Sequence, residues 1–535
     1  MLFQTTEFLI LLLVSMAGIV VLRRARPQHW MLLIASYVFY GWWDVRFLTL
    51  ILLSTVIDYA AALGMQGVRL SVGARARLSG MLIGASFLFL GVNWPAMQKQ
   101  HVVPAFDDMF FPEWPGARAA LIACVAFAVV GPGLYGFYFR LSEKGRRRAF
   151  LITSVVSNLG MLGFFKYYNF FAANLQGIGG WMGADLTLPV LAVALPVGIS
   201  FYTFQTMSYT IDAYRGSIDA EPSLVRMALY VSYFPQLVAG PILRPQELLP
   251  ALKQPWRLNA VNVQSGFHLA MVGMFKKVLI ADWCAPMVNQ IFADPMDQPT
   301  LVIWLGTALF AVQIYCDFSG YTDIARGVSR MFGVEIPLNF NFPYFSTSII
   351  DFWRRWHISL SSWLRDYLYI PLGGSKCSTG RMYFNLMTTM VLGGLWHGAA
   401  WNFVIWGAYQ GGLLCINRVL RAGIQKLPTV DAALTSKPGT VFRWAVTAYF
   451  WMLGWLIFRV TNFEHLVYCM KKFVLFDANF SLSALGLGRG DPFVALLAAG
   501  VFAVLHAVGF FGKRWSERLD ALPMWALAAV YFVIG

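Results

Sequence analysis

Charge is scarce in this 535-residue chain: Asp, Glu, Lys and Arg make up 13% of it, about half the share of an average soluble protein. That shortage excludes independent soluble domains and long disordered tails, both of which need polar surface to remain in water. Cysteine is scarce too, with six residues (Cys124, Cys284, Cys316, Cys377, Cys415 and Cys469) so dispersed that no C-x-x-C pair forms. Neither a disulfide framework nor a thiolate zinc site is indicated. Several nucleotide and hydrolase signatures are missing as well. There is no P-loop and no H-E-x-x-H, and Gly486, Gly488 and Gly490 lack the spacing and context of a dinucleotide loop. Gly198 is followed by Ile199, Ser200 and Phe201, which is not a G-x-S-x-G elbow. Apart from adjacent Asp107 and Asp108, no close acidic pair suggests metal-assisted chemistry on a sugar nucleotide, and no metal site is expected.

Apolar residues are abundant instead: 58% of the chain is hydrophobic and the mean hydropathy is +0.60. This composition implies an all-α polytopic membrane protein. The net charge of +15, from 41 basic and 26 acidic residues, would suggest nucleic-acid binding in a soluble protein. Here basic loops set topology, and no nucleic-acid partner is expected. A bilayer core of roughly 30 Å takes about 20 helical residues, which places spans near 3 to 22, 46 to 65, 79 to 97 and 118 to 139, with a shorter one at 30 to 43. Arg23, Arg24 and Arg26, then Arg69, Arg75 and Arg77, then Arg140, Lys144, Arg146, Arg147 and Arg148 alternate with weakly charged or acidic loops such as Gln98 to Gly116, where Asp107, Asp108 and Glu113 outnumber Lys99. The positive-inside rule puts these clusters in the cytoplasm and the N-terminus outside. The run Phe8 to Leu22 carries its arginines behind it, unlike a secretory signal, and reads as a retained span. Beyond residue 150 Pro196, Pro235, Pro241, Pro371 and many glycines interrupt the apolar stretches, as expected of backbone buried in protein or lining a wet cavity. About 11 spans plus re-entrant and interfacial helices fit the length. They form one integral-membrane domain over residues 1–535 without an internal repeat, and the apolar run Leu522 to Gly535 is either a shortened span or an interfacial end.

Ionisable residues at membrane depth are functional candidates. The richest stretch is Ile349 to Leu372, IIDFWRRWHISLSSWLRDYLYIPL. On a helical wheel Trp353, Trp356, Leu360, Trp363, Leu364 and Tyr367 share one arc, and Arg354, His357, Ser361 and Arg365 share another that Leu368 intrudes upon. An amphipathic helix with His357 bordering its polar face is the expectation; an interfacial helix with a Trp belt and snorkelling arginines is the alternative. His397 lies among small residues in Leu392-Gly-Gly-Leu-Trp-His-Gly-Ala-Ala-Trp-Asn402, where Gly393, Gly394 and Gly398 permit close approach of a backbone or substrate. It is either a packing imidazole or a site residue. A Pro/Gly turn (Pro371, Gly373, Gly374) separates the two histidines, which could then meet from neighbouring helices. His29, His101, His268, His465 and His506 show no such clustering. Asp212 with Arg215, Lys276 with Lys277, and Asp317 with Asp323 are read as architectural charges. An imidazole with an ordinary pKa of about 6.5 can remove a proton from a hydroxyl near neutrality, and desolvation keeps it neutral.

Six motifs in order carry a family resemblance: FFKYYNFF from Phe164, LPVGISFYTFQTMSYTIDAYRG from Leu195, YFPQLVAGPILR from Tyr233, CDFSGYTDIARG from Cys316, FWRRWHISLSSWLRDYLYIPLGG from Phe352 and LGGLWHGAAWNFVIWG from Leu392. The chain resembles the membrane-bound O-acyltransferase superfamily and its polysaccharide-modifying bacterial members up to about residue 460. The resemblance implies a ring of membrane helices around a thin centre with a cytoplasmic funnel. It implies catalysis by His397, the characteristic family histidine, with His357 at a second site position that some branches fill with Asn or Asp. It also implies acetyl-CoA as the acyl donor with no permanently bound cofactor, and a periplasmic acceptor or transferase protein as partner. The end product would be an O-acetylated exopolysaccharide such as alginate, and the location the bacterial inner membrane, in contact with its lipid. CoA-contacting residues are not assigned. Transfer of D-alanyl or another acyl group to an envelope polymer is the nearest alternative. A secondary transporter is the alternative from another class, although the two-fold span symmetry it would need is not found.

Overall fold

A computed structural model describes residues 1–94, 117–184, 186–191, 195–476 and 490–512. The loop Gln98 to Gly116, His101, Gly486, Gly488 and the run Leu522 to Gly535 lie outside the described residues. No β-strand occurs among the described ones. The chain divides into two compact units, Met1–Val238 with Ile242–Leu258, and Ala239–Pro241 with Asn259–Gly535. Six described helices are long and apolar enough to cross a membrane, set against the about 11 spans that the whole length accommodates.

In the first unit, helices at Thr6–Val21, Ala25–Gly41, Leu48–Met65 and Ala117–Tyr138 fall close to the expected spans. The expected span at 79 to 97 is displaced, because its helix is Val72–Leu90. The Ser71 hydroxyl accepts from the Ala74 N–H and starts the helix early. Arg75 and Arg77 therefore lie within its first turns. Leu48–Met65 is almost wholly buried, with Glu143–Leu162 and Ile199–Arg215 packed against it. Each of these three helices contributes polar residues four apart, hence on one face: Ser54 and Asp58, Ser154 and Asn158, Thr206 and Thr210. They meet at Asp58, which is fully buried. Its carboxylate accepts from the Ser154 hydroxyl at 2.6 Å and the Asn158 amide at 3.0 Å, and Thr210 lies 2.9 Å from Ser154. A carboxyl with no cation beside it among the described residues is thus satisfied by neutral donors. The motif FFKYYNFF forms a π-helical turn, Gly163–Tyr167, from which the Lys166 ammonium donates to the Ser200 hydroxyl at 3.0 Å. Asp212 accepts from Gln246 at 2.9 Å.

The second unit is organised by Thr300–Met331, a helix of 32 residues. Ala260–Met274 lies against it backbone to backbone. A Cβ on Gly273 would sit 2.5 Å from the Gly320 carbonyl oxygen, and one on Gly266 would sit 2.5 Å from that of Gly327. Glycine at both crossings is therefore required by contact. The close approach also brings the Lys276 ammonium to 2.6 Å from Asp323, while Lys277 turns to Asp282 and Asp317 at 2.8 and 2.6 Å. The two lysines each take their own aspartate partners. A cluster of buried aromatic and aliphatic side chains from Thr300–Met331, Lys437–Arg459 and Gly490–Phe511 fills the core of this unit.

Candidate active site

The stretch Ile349 to Leu372 is not one helix. It forms Ile349–Arg355, then Ile358–Leu364, then a π-helical turn at Arg365–Tyr369. Between the first two, Trp356 is extended and His357 is left-handed, with φ 43°. The break corrects the helical-wheel expectation for His357. Arg354 and Arg365 are exposed, yet His357 is fully buried and leaves their arc. The apolar arc fares better, since Trp356, Leu360, Trp363, Leu364 and Tyr367 are all buried. Backbone groups freed by the break are taken up by the segment before it: the Asn341 N–H donates to the Arg355 carbonyl, and the Ile358 N–H donates to the Asn339 carbonyl, each at 2.9 Å. Without those bonds a buried break would leave unsatisfied polar backbone.

Asn339 also fixes the imidazole. Its side-chain Oδ1 accepts from the Ser359 backbone N–H at 3.0 Å and the Ser359 hydroxyl at 2.9 Å. A backbone N–H can only donate, so the atom facing it is the amide oxygen. His357 Nδ1 lies 3.3 Å from that same oxygen and 3.5 Å from the Ser359 hydroxyl; with that hydroxyl donating to Asn339, the assigned tautomer carries its proton on Nδ1 and its lone pair on Nε2. The edge of Phe318 packs on the ring with centroids 4.6 Å apart. His357 lies outside the six candidate spans. Burial, reinforced by the neighbouring His397, holds it well below the ordinary imidazole range.

His397 ends the helix Thr379–His397, and the chain turns at Gly398 into Trp401–Ile424. The two helices touch through glycine. A Cβ on Gly394 would collide with the Phe403 carbonyl, and one on Gly407 with the Met390 carbonyl. The L-G-G-L-W-H-G sequence thus encodes a tight helical hairpin with the histidine at its tip. His397 is half-buried in a box of ring edges: Trp396, Trp406 and Phe458, with centroids at 5.0, 5.3 and 5.3 Å. Asn402 donates to the Phe458 carbonyl at 3.1 Å and steadies one wall. Trp396 touches both histidines, its ring centroid lying 6.0 Å from that of His357.

The two predicted histidines are therefore brought together around one indole, one fully buried with a set tautomer and the other partly open. Such a pair can move a proton from a hydroxyl in a water-poor setting. Sequence reasoning missed Asn339, Phe318, Trp406, Asn402 and Phe458. The signal for Asn339 was there, in an N-F-N-F-P run at Asn339 to Pro343 that places amides in an apolar stretch. Among the described residues no group of three His, Cys, Asp or Glu side chains could hold a metal ion.

The model of the MBOAT, membrane-bound O-acyltransferase family, matches residues 188–467. The chain is 38% identical over 467 residues to the "Probable alginate O-acetylase AlgI" of Azotobacter vinelandii, covering 87% of this chain and 76% of that relative. It is 36% identical over 518 residues to the protein of the same name in Pseudomonas aeruginosa, covering 96% and 82%. It is 34% identical over 377 residues to the "Peptidoglycan O-acetyltransferase" of Helicobacter pylori, covering 65% and 69%. The family match spans both histidines, and the chain belongs to the membrane-bound O-acyltransferase family as a multi-pass membrane acyltransferase.

Proposed function

We propose that this protein transfers acetyl groups from cytoplasmic acetyl-CoA, across the bacterial inner membrane, for O-acetylation of an exopolysaccharide such as alginate. The observation that carries the reading is the pair His357 and His397 on either contact of Trp396, inside a chain whose relatives are named for acetylation of alginate and peptidoglycan. The acceptor is a hydroxyl reaching the histidines from the periplasmic side, on a partner protein or transferase that hands the group to the polymer.

His397 takes the hydroxyl proton as the oxygen attacks the thioester carbonyl. The C–S bond then breaks, and the departing CoA sulfur recovers that proton from His397. With its proton on Nδ1 and directed at Asn339, neutral His357 offers a lone pair at Nε2. That suits it to hold the incoming hydroxyl by accepting from it, and assigns stabilisation of the tetrahedral oxyanion to another donor. Desolvation around His357 favours its neutral imidazole, the form that can accept a hydrogen bond.

The test is acetyl transfer from radiolabelled acetyl-CoA in membranes carrying the protein with its gene neighbours. His397→Ala protein that accumulates normally should lose transfer; unchanged transfer would remove His397 from the site. Mass measurement of the modified polymer separates acetyl from D-alanyl, and its sugar composition separates alginate from peptidoglycan.

A further inference from the structure

Within the first unit, Leu48–Met65, Val72–Leu90, Ala117–Tyr138 and Glu143–Leu162 line an apolar cavity that is partly open to the outside. Val56, Leu82, Phe127, Leu134, Tyr138 and Phe150 are among its walls, and Arg75 reaches into it. The arginine is held there by a carbonyl of the opposite helix, beside a proline defect that Ser79 caps. Pro132 lies inside Ala117–Tyr138 and has no N–H, so the carbonyl one turn earlier loses its helical donor. The Ser79 hydroxyl donates to that carbonyl, Ala128, at 2.6 Å, and Arg75 Nη1 donates to the Pro132 carbonyl at 2.6 Å. A Cβ on Gly136 would sit 2.8 Å from Arg75 Nη1, so glycine leaves room for the guanidinium. Arg75 Nε is buried with no hydrogen-bond partner among the described residues.

More positive charge lies beside the same end. Arg69 and Arg146 stack on Phe139 at 5.9 and 5.2 Å. Phe139 packs against the cavity residue Tyr135 at 5.4 Å. Among the described residues no carboxylate pairs with Arg69, Arg75 or Arg146. Loop topology alone would not require one arginine to be pinned within an apolar cavity with an N–H left over.

We propose that the cavity and its arginine rim bind an acidic phospholipid, one acyl chain lying in the cavity and the phosphate held by Arg75, with Arg69 and Arg146 beside it. The arginines belong to clusters that the positive-inside rule assigns to the cytoplasmic face, where acidic headgroups are drawn to basic pockets between helices.

The full chain, purified in mild detergent and offered equal amounts of phosphatidylglycerol and phosphatidylcholine, should retain phosphatidylglycerol in native mass spectra. Arg75→Gln should reduce retention about fivefold, and Arg146→Gln should add a similar factor, whereas Arg75→Lys should keep most of it. Equal retention of the two lipids, or no change in Arg75→Gln, would overturn the proposal. Excess inorganic phosphate should fail to displace the lipid, because the chain as well as the headgroup is bound; complete release by phosphate would overturn the acyl-chain assignment. If the glutamine variants do not fold, the wild-type protein decides: phosphatidylglycerol with a photoreactive acyl chain should label peptides from the four cavity helices, and labelling confined to other segments would count against the site.

Discussion

Asn339 Oδ1 lies 3.3 Å from His357 Nδ1 and accepts two further hydrogen bonds from Ser359. One amide therefore closes the helix break and sets the imidazole tautomer. Asn339→Ala should cost about 1–3 kcal/mol of stability, since it leaves buried donors unsatisfied, and should lower transfer in the protein that survives. Asn339→Asp keeps the acceptor oxygen but adds negative charge, which raises the pKa of the adjacent ring. Transfer measured against pH should then show its acidic limb moved to higher pH. An unmoved limb would mean that protonation of His357 does not set the acidic limb of the reaction.

The wild-type pH profile follows from the same environment. Burial and His397 hold His357 below the ordinary imidazole range, so the ring stays neutral as pH falls past about 6.5. Activity that depends on neutral His357 should persist below that value and fail only in more acidic buffer. A limb near 6.5 would assign the titration to a different group.

His397→Gln retains a polar side chain in the ring-edge box and removes the base. We expect transfer to fall by about 10²–10⁴-fold, the usual contribution of a positioned base, with little change in thermal stability. Comparable losses of stability and activity would mark His397 as a packing residue.

Gly273→Ala places a methyl 2.5 Å from the Gly320 carbonyl oxygen and 2.7 Å from the Ile324 nitrogen. Both obstacles are backbone and cannot swing aside, so overpacking should cost about 1–3 kcal/mol. Thermal melts in detergent should show it, whereas Gly412→Ala, with nothing within 4 Å of the new carbon, should melt like the parent.

Asp58 is far less tolerant than its distance from the histidines in sequence suggests. Asp58→Ala strips the Ser154 hydroxyl and Asn158 amide of their shared acceptor. Each stranded donor costs about 1–3 kcal/mol. The expected result is low accumulation in the membrane with near-normal transfer per folded molecule; normal accumulation would show that the three-helix polar centre is dispensable.

The early spans were legible because bilayer thickness imposes a length that apolar runs reveal directly, as at Leu48–Met65. Val72–Leu90 is displaced from its apolar run because Ser71 starts the helix ahead of arginines that ordinarily flank a span. His397 was legible from its small-residue surroundings. The break at His357 was hidden, since an amphipathic pattern continues across two short helices much as it does along one. Asn339 and the Asp58 centre were overlooked for a related reason: amides and hydroxyls interrupt an apolar run only mildly, and their importance arises when distant segments converge.

The left-handed backbone at His357 also bears on what else could occupy that position. Asn, Asp and His are the side-chain-bearing residues most often found in that conformation, and the family resemblance allows the same three at the second site position. The chain geometry thus screens candidates before chemistry does. A substitution such as Gln or Lys, chemically plausible as a proton acceptor, would hold that backbone at a greater cost in strain.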